Sequence, residues 1–183
     1  MNKLPVFITG NQSKAEYLSR QLGVELGHRK VDLDELQSTD LHTIVEHKLR
    51  QAYDVCKRPV LVEDVSLVFN ALNELPGPYI KWFVEYAGDE ACCRMLDGFN
   101  DRSAIIRCTF GYYDGDRIEF FDSELPGMIS DKPSGENGFG FDRFFINESY
   151  TITRASMTQE ENERTYAELM KPFSKVRAFI EKL

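Results

Sequence analysis

A chain of 183 residues, 42% of them hydrophobic, is long enough to bury a sizeable core as one domain. Its formal net charge of −8 argues against a nucleic-acid-binding surface, which normally needs a basic face. In the opening MNKLPVFITG, the apolar run is too short and too soon interrupted for a signal peptide. No apolar stretch approaches the length of a membrane span. We therefore expect one soluble, cytoplasmic domain over 1–183 that binds a small molecule and neither nucleic acid nor membrane.

The first predicted element is a short apolar strand over 5–8, which runs directly into the loop TGNQSK and a helix over 15–22. A turn between a strand and a helix commonly presents backbone N–H groups to phosphate. This loop lacks the second glycine and the GK[ST] ending of a P-loop. Capping of the helix by an Asn or Ser explains it nearly as well, so both interpretations stay open.

Alternating apolar and polar residues predict a second strand over 24–33, which ends in the acidic run DLDE at 32–35. An acidic run of this kind usually forms a solvated loop. Thr39 or Asp40 is expected to cap the next helix, which ends near Cys56. Lys48 lies at the edge of the apolar face of that helix, where it either extends its ammonium to solvent or faces a ligand.

The most informative stretch is 60–83, with the sequence VLVEDVSLVFNALNELPGPYIKWF. Its β-branched opening predicts a buried strand that ends in Glu63 and Asp64. Acids between apolar residues need a compensating charge, which a hard cation such as Mg²⁺ would supply, but capping of the following segment is an equal alternative. A helix is expected just after Pro78, and Lys81 within it is either a phosphate-binding cation or a solvated lysine.

The second half of the chain begins with a predicted helix over 89–96 and a long strand over 103–113. Asp114-Gly115 is a strong turn signal and predicts a β-hairpin with a returning strand over 118–121. The four cysteines, which we expect to be reduced and buried, show neither CxxC spacing nor a histidine at zinc-ligand distance.

Glycines alternate with aromatic residues in the segment 135–142, GENGFGFD. Such a loop can bring its backbone close to a flat ligand and offer its rings for stacking. Two phenylalanines that anchor the loop in the core are the alternative interpretation. A short strand is then expected over 143–146, and a final helix over 159–183 that Pro172 interrupts.

The runs VEDVSL, FNAL and LPGPYIKWF resemble the family of inosine triphosphate pyrophosphatases, and the resemblance extends over nearly the whole chain. It implies an α/β fold in which a long mixed β-sheet carries helices in two lobes around a central cleft, usually as a homodimer. It also implies Mg²⁺-dependent hydrolysis of non-standard purine nucleoside triphosphates, with water attacking the α-phosphorus to release a nucleoside monophosphate and pyrophosphate.

The resemblance also assigns roles to individual residues. Glu63 and Asp64 match a metal-binding and water-activating pair, with Asp64 as the general base, and Glu35 matches a further acid near the metal. The implied substrate-binding residues, taken together with the cationic Lys81, are Thr9, Asn11, Lys14, Lys48, Phe139, Phe141 and Asp142. Lys14 is also expected to take part in catalysis, by offsetting the charge that develops on the phosphate.

The C-terminal part departs from the family pattern, which has a Ser-His-Arg run preceded by a lysine. The His-Arg pair is not restored with or without a one-residue shift of the alignment. Asn162 stands where the lysine is expected, and Arg164 or Tyr166 is a candidate replacement. We therefore expect altered base selectivity, because discrimination depends on polar groups that pair with one base only. A nucleotide-binding homologue with weak turnover is the main alternative, and a purely structural dimerisation domain ranks last.

Overall fold

The computed structural model describes residues 4–183; the first part of the segment considered as a signal peptide, residues 1–3, lies outside them. The strands of the described part are β1 (Val6–Ile8), β2 (His28–Arg29), β3 (Val60–Phe69), β4 (Pro76–Gly77), β5 (Ser103–Tyr113), β6 (Ile118–Ile129) and β7 (Phe145–Asn147). Its α-helices are α1 (Gln12–Leu22), α2 (Leu41–Cys56), α3 (Ile80–Trp82), α4 (Asp89–Arg94), α5 (Gln159–Thr165) and α6 (Phe173–Ile180).

The seven strands form one mixed sheet with the order β2-β1-β3-β5-β6-β7, and β4 pairs with β3 beside this path. The β1 strand is parallel to both β2 and β3, whereas β4 is antiparallel to β3 and β7 is antiparallel to β6. The predicted α/β class with a mixed sheet is therefore confirmed. None of the helices in the part of the chain described is long and apolar enough to cross a membrane.

The chain divides into two compact units. The first comprises residues 4–64, 109–122 and 172–183; in its core, α2 packs on the start of β3 through Val45, Leu49, Ala52, Val60 and Val62. The second comprises residues 65–108 and 123–171; its core includes Leu67, Phe69, Cys92, Cys93, Ile106, Phe144 and Phe145.

The second strand is much shorter than the sequence predicts. Only His28 and Arg29 are in strand conformation, paired with Phe7 and Ile8. Because β2 lies at the edge of the sheet beside the three-residue β1, a longer β2 would extend past its partner strand. The acidic run at 32–35 therefore does not end a strand, and the prediction that it does is wrong.

The third strand is longer than predicted, since β3 continues through Glu63 and Asp64 to Phe69. Its second half pairs with β4 and is buried, which extends the strand beyond the local apolar run. The two acids are therefore internal to the strand and do not mark its end. The prediction of a strand that stops at these acids is wrong.

Several other elements are confirmed. Asp40 caps α2, β5 has the predicted bounds, and the four residues 114–117 connect β5 to its neighbour β6. A connection this short requires antiparallel strands, so the hairpin is confirmed, although β6 runs to Ile129. Pro172 interrupts the last helix as predicted, with α6 beginning at the next residue.

Candidate active site

The loop between β1 and α1 caps the helix that follows it. The side-chain oxygen of Asn11 accepts a hydrogen bond from the Lys14 N–H at 3.1 Å. The Thr9 hydroxyl oxygen accepts one from the Asn11 N–H, also at 3.1 Å. Capping by Asn11 is therefore confirmed and starts α1 at Gln12, whereas phosphate binding by Thr9 and Asn11 stays a prediction.

Helix α1 brings Lys14 to the first of the two acids in β3. The Lys14 Nζ lies 2.6 Å from the Glu63 Oε2 and 5.9 Å from the centre of the Phe7 ring. The Glu63 side chain is 2% exposed, while that of Lys14 is 41% exposed. A carboxylate so far removed from water needs a charged partner, and Lys14 supplies it.

Helix α2 brings Lys48 to the second acid. The Lys48 Nζ lies 2.6 Å from the Asp64 Oδ2, and the two side chains are 17% and 18% exposed. Because side chains alternate along a strand, Asp64 lies on the face of β3 that carries Val60 and Val62, against which α2 packs. Lys48 therefore binds a carboxylate and does not extend to solvent.

These four residues, Lys14, Lys48, Glu63 and Asp64, are named here the lysine-carboxylate cluster. Since Glu63 and Asp64 are consecutive in a strand, their side chains leave β3 on opposite faces. The cluster is thus two separate ion pairs, one formed with each helix. Each pair couples a lysine that can bind phosphate to a carboxylate that can bind a metal ion or a proton.

The third predicted acid, Glu35, is exposed in the irregular segment before α2. The N–H of the neighbouring Asp34 donates to the Gln51 Oε1 at 2.9 Å, which ties this segment to α2. Among residues 4–183, no three or more His, Cys, Asp or Glu side chains come together as a group that could hold a metal ion. The structure therefore does not gather Glu35, Glu63 and Asp64 into one ligand set.

These acids nevertheless fit Mg²⁺ in chemistry. Mg²⁺ prefers oxygen ligands, and at nucleotide sites one or two carboxylates commonly bind it together with phosphates of the substrate. Asp64 is partly exposed beside a lysine, and Glu35 is fully on the surface. A complete cage of protein ligands is therefore not required, and the metal roles of Glu35, Glu63 and Asp64 stay predictions.

The predicted base-binding residues lie in the second unit, on the segment Gly135–Asp142, named here the glycine-aromatic loop. Phe139 is 66% exposed, whereas Phe141 packs against the hydrophobic core. Asp142 is 3% exposed, and its Oδ2 accepts a hydrogen bond from the Phe139 N–H at 3.1 Å. Phe141 thus anchors the loop, and Phe139 offers its ring outward.

Sequence reasoning missed Arg154, which is fully buried. Its Nε donates to the Asp142 Oδ1 at 2.7 Å, its Nη2 to the Asn162 Oδ1 at 2.6 Å and its Nη1 to the Thr165 Oγ1 at 3.0 Å. The Asn162 Nδ2 in turn donates to the Arg154 carbonyl oxygen at 2.9 Å. The one feature of the sequence that could have pointed to a buried Arg154 is its position among the small and apolar residues of ITRASM.

The remaining predicted cations lie at the surface of the second unit. Lys81 is exposed, with its Nζ 5.3 Å from the centre of the Trp82 ring. Arg164, a candidate replacement for the missing base-reading residues, donates to the hydroxyl of Tyr150 at 3.4 Å on the exposed side of α5.

Tyr166, the other candidate replacement, lies next to the glycine-aromatic loop. Its ring meets that of Phe139 edge-on, with 5.9 Å between the ring centres. The Nζ of Lys171, a residue that is 5% exposed, lies 5.0 Å from the centre of the Tyr166 ring. Of the two candidates, Tyr166 is therefore the one that adjoins the predicted base pocket.

Lysines beside carboxylates on a mixed α/β sheet fit an enzyme that acts on phosphorylated small molecules, because such cations stabilise the charge on a transferring phosphoryl group. Within that class, the chain belongs to the Ham1 family, whose model matches residues 5–168. The family resemblance of the runs VEDVSL and LPGPYIKWF is thereby confirmed.

Several curated and solved proteins are similar to this chain. The inosine triphosphate pyrophosphatase of Yarrowia lipolytica is 38% identical over 180 residues, which are 96% of this chain and 94% of the relative. Inosine triphosphate pyrophosphatase 2 of Trypanosoma cruzi is 40% identical over 167 residues, 89% of this chain and 85% of the relative. The structure of the Ham1 protein of Staphylococcus aureus matches with a TM-score of 0.84 and 23% identity, over 98% of this chain and 99% of that one. This last likeness shows the fold.

Proposed function

We propose that this protein hydrolyses nucleoside triphosphates to nucleoside monophosphates and pyrophosphate with Mg²⁺ as cofactor. Its membership of the Ham1 family and its inosine triphosphate pyrophosphatase relatives make it a nucleoside triphosphate pyrophosphatase. The observation that carries the mechanism is the lysine-carboxylate cluster, in which Lys14 and Lys48 each lie 2.6 Å from a carboxylate of β3.

Binding of a triphosphate changes the partners of both lysines, which it reaches from the edge of the sheet because the pairing of β3 with β1 ends before Glu63 and Asp64. The polyphosphate carries several negative charges, and it competes with Glu63 and Asp64 for the two ammonium groups. Lys14 and Lys48 exchange their carboxylates for phosphate oxygens, with backbone N–H groups at the start of α1 contributing further donors. This exchange frees Glu63 and Asp64 at the moment when the reaction needs carboxylates.

Asp64 then acts as the general base. It orients a water molecule and takes its proton while the water attacks the α-phosphorus, and pyrophosphate leaves. The lysines offset the charge that develops on the phosphate oxygens in the transition state. Carboxylates among Glu35, Glu63 and Asp64 would hold Mg²⁺, which would supply additional charge neutralisation on the phosphates.

The base is bound by the glycine-aromatic loop, and its recognition is altered from that of the family. Phe139 offers an exposed ring for stacking, while the Ser-His-Arg run of the family is missing and Tyr166, which contacts Phe139, is its candidate replacement. Non-standard purine triphosphates such as inosine triphosphate are substrates, with a preference over the standard purines that is weak or changed.

The experiment that tests the activity is product analysis with purified protein, Mg²⁺ and a panel of standard and deaminated nucleoside triphosphates. Release of pyrophosphate together with a nucleoside monophosphate supports the proposal. Release of orthophosphate, or no release from any triphosphate, would contradict it. Strong selectivity for inosine triphosphate over adenosine and guanosine triphosphates would contradict the altered base preference alone.

Two further proposals concern assembly and location: a homodimeric state, which the family resemblance implies, and a cytoplasmic location. Light scattering of the purified protein over a range of concentrations tests the first, and a monomer mass throughout would contradict it. Fractionation of cells that express the untagged protein tests the second.

A further inference from the structure

Arg154 joins three segments of the second unit through its guanidinium group. One bond goes to Asp142 at the end of the glycine-aromatic loop, and two go to Asn162 and Thr165 of α5. Arg154 itself belongs to the single helical turn Arg154–Ser156. The planar fork of an arginine can hold several partners in a fixed arrangement, which a lysine cannot do.

Net stability is a poor explanation for an arginine in this position. The side chain is completely buried and Asp142 nearly so, and a buried ion pair commonly stabilises a fold no better than an apolar pair of similar size. What such a pair does provide is a defined geometry for the segments that it joins.

Two aromatic rings are attached to the segments that Arg154 holds. Asp142 accepts from Arg154 with one oxygen and from the Phe139 N–H with the other, so the guanidinium fixes the backbone of Phe139 through a single carboxylate. Tyr166 directly follows Thr165 in the chain. The rings of Phe139 and Tyr166 meet edge-on, and that of Phe139 is mostly exposed.

We propose that Arg154 is a positioning residue for the nucleobase, which holds Phe139 and Tyr166 in the arrangement that stacks on the base without touching the nucleotide itself. This proposal rests on the nucleotide binding proposed above. Recognition by stacking accepts any purine, because every base has an aromatic face. Arg154 therefore determines how tightly the base is held and contributes little to the choice between 6-oxo and 6-amino purines.

The main test removes the pair as a unit with the double variant Arg154→Met and Asp142→Leu, which leaves no buried charge behind. Isothermal titration calorimetry measures Kd for inosine monophosphate and, as a probe without a base, for inorganic pyrophosphate. We expect Kd for the monophosphate to rise about tenfold, the loss of one stacked base, while Kd for pyrophosphate is unchanged. With inosine triphosphate as substrate, KM rises by a larger factor than kcat falls.

A merely structural role gives a different result. A double variant with a lower Tm but an unchanged Kd for inosine monophosphate would overturn the proposal, as would an equal rise in both dissociation constants. If the double variant does not fold, Thr165→Val removes one bond to Arg154, and Thr165→Ser keeps the hydroxyl as its matched control. The proposal is supported if Thr165→Val binds inosine monophosphate more weakly than Thr165→Ser does. Equal binding by these two variants contradicts it.

The same measurements separate this inference from the proposed activity. Pyrophosphate release by a wild-type protein whose monophosphate binding does not depend on Arg154 would overturn the inference alone. Binding of the monophosphate that depends on Arg154, without hydrolysis of any triphosphate, would leave the inference standing and overturn the activity. A wild-type protein that binds neither ligand would overturn both.

Discussion

Lys48 on α2 and Asp64 on β3 form an ion pair with 2.6 Å between the Nζ and Oδ2 atoms, and both side chains are more than four-fifths buried. The carboxylate proposed as general base is therefore held by the lysine proposed to bind phosphate. With these proposed roles, binding of the substrate and release of the base would be coupled through Lys48. An enzyme arranged in this way keeps its base neutralised until a polyphosphate arrives.

The variant Asp64→Asn keeps the shape of the side chain and removes the general base. We expect the rate of pyrophosphate release to fall by at least about 100-fold, because proton transfer no longer assists the attack of water. Nucleotide binding is retained, since Lys48 becomes more available to phosphate. Enzyme kinetics and calorimetry with the same triphosphate measure the two effects.

The matched control is Asp54→Asn, which makes the same substitution in an exposed acid of α2 paired with Lys57. This variant keeps full activity. If Asp64→Asn were as active as the control, the base would lie elsewhere; if wild type and both variants bound nucleotide without turnover, the protein would be a non-catalytic homologue.

The variant Lys14→Met removes the ammonium group that pairs with Glu63. Because the Glu63 side chain is only 2% exposed, we expect the free energy of unfolding to fall by about 1–3 kcal/mol. The KM for triphosphates rises as well, since Lys14 is proposed to bind phosphate. Urea unfolding and steady-state kinetics measure the two effects.

A second substitution separates these effects of Lys14. In the double variant Lys14→Met and Glu63→Gln, most of the stability returns because no buried charge is left, but KM stays high. Lys57→Met, at a lysine whose side chain is 69% exposed, is the control and changes neither quantity. Recovery of KM together with stability would show that Lys14 has a structural role only.

The elements that the sequence predicted well are those whose pattern is local. Helix α2 has five buried apolar residues at helical spacing and an Asp at its cap, and the first half of β5 alternates between half-buried and buried residues. Such features need no knowledge of distant residues. The sequence predicts too short a β3 because Glu63 and Asp64 interrupt its apolar run. The lysines that neutralise these acids come from α1 and α2, which are distant in the sequence.

The candidate site was predictable only in part for the same reason. The residues of the lysine-carboxylate cluster were identified from the sequence and the resemblance, but not their pairing, which depends on how two helices pack on one strand. Arg154 was missed because an arginine in a short loop segment is usually exposed. Its importance follows from its burial and from partners on α5 and the glycine-aromatic loop.

Asp40 should make the stability of α2 dependent on pH. The hydroxyl and the N–H of Thr43 donate to its carboxylate and lower its pKa below the ordinary value. A carboxyl group with a lowered pKa stabilises the folded state above its unfolded pKa and loses this contribution as the pH falls through the folded pKa. At neutral pH, we expect Asp40→Ala to cost about 1 kcal/mol of unfolding free energy.

The control for this effect is Asp40→Asn, which keeps an uncharged cap. Between about pH 5 and pH 3, wild type should lose stability relative to the Asn variant, as measured by urea unfolding at each pH. Parallel curves for the two proteins over this range would contradict the contribution of the Asp40 charge.

The buried thiols should be unreactive in the folded protein. Burial, followed by the nearby charge of Asp89, raises the pKa of Cys92 to about 11, and burial also raises the pKa of Cys93. Since the thiolate is the reactive form, an aromatic disulfide reagent at about pH 8 should label Cys56 first and these two only after unfolding. The Cys56→Ser variant should lack the early phase, and peptide mapping that finds Cys92 labelled in the native protein would contradict this prediction.

Gly138 allows the glycine-aromatic loop to pass close to the network around Arg154. Its φ is +81°, and a Cβ atom at this position would meet the Asp142 Oδ2 and lie 2.9 Å from the Asn162 Nδ2. Gly138→Ala should therefore lower Tm and weaken binding of inosine monophosphate, because both the backbone conformation and the Asp142 contact are disturbed. Gly98→Ala is the matched control, since a Cβ atom there meets no other atom within 4 Å. If the two alanine variants had the same Tm and the same Kd, close packing of Gly138 on Asp142 would not be needed for the base side of the site.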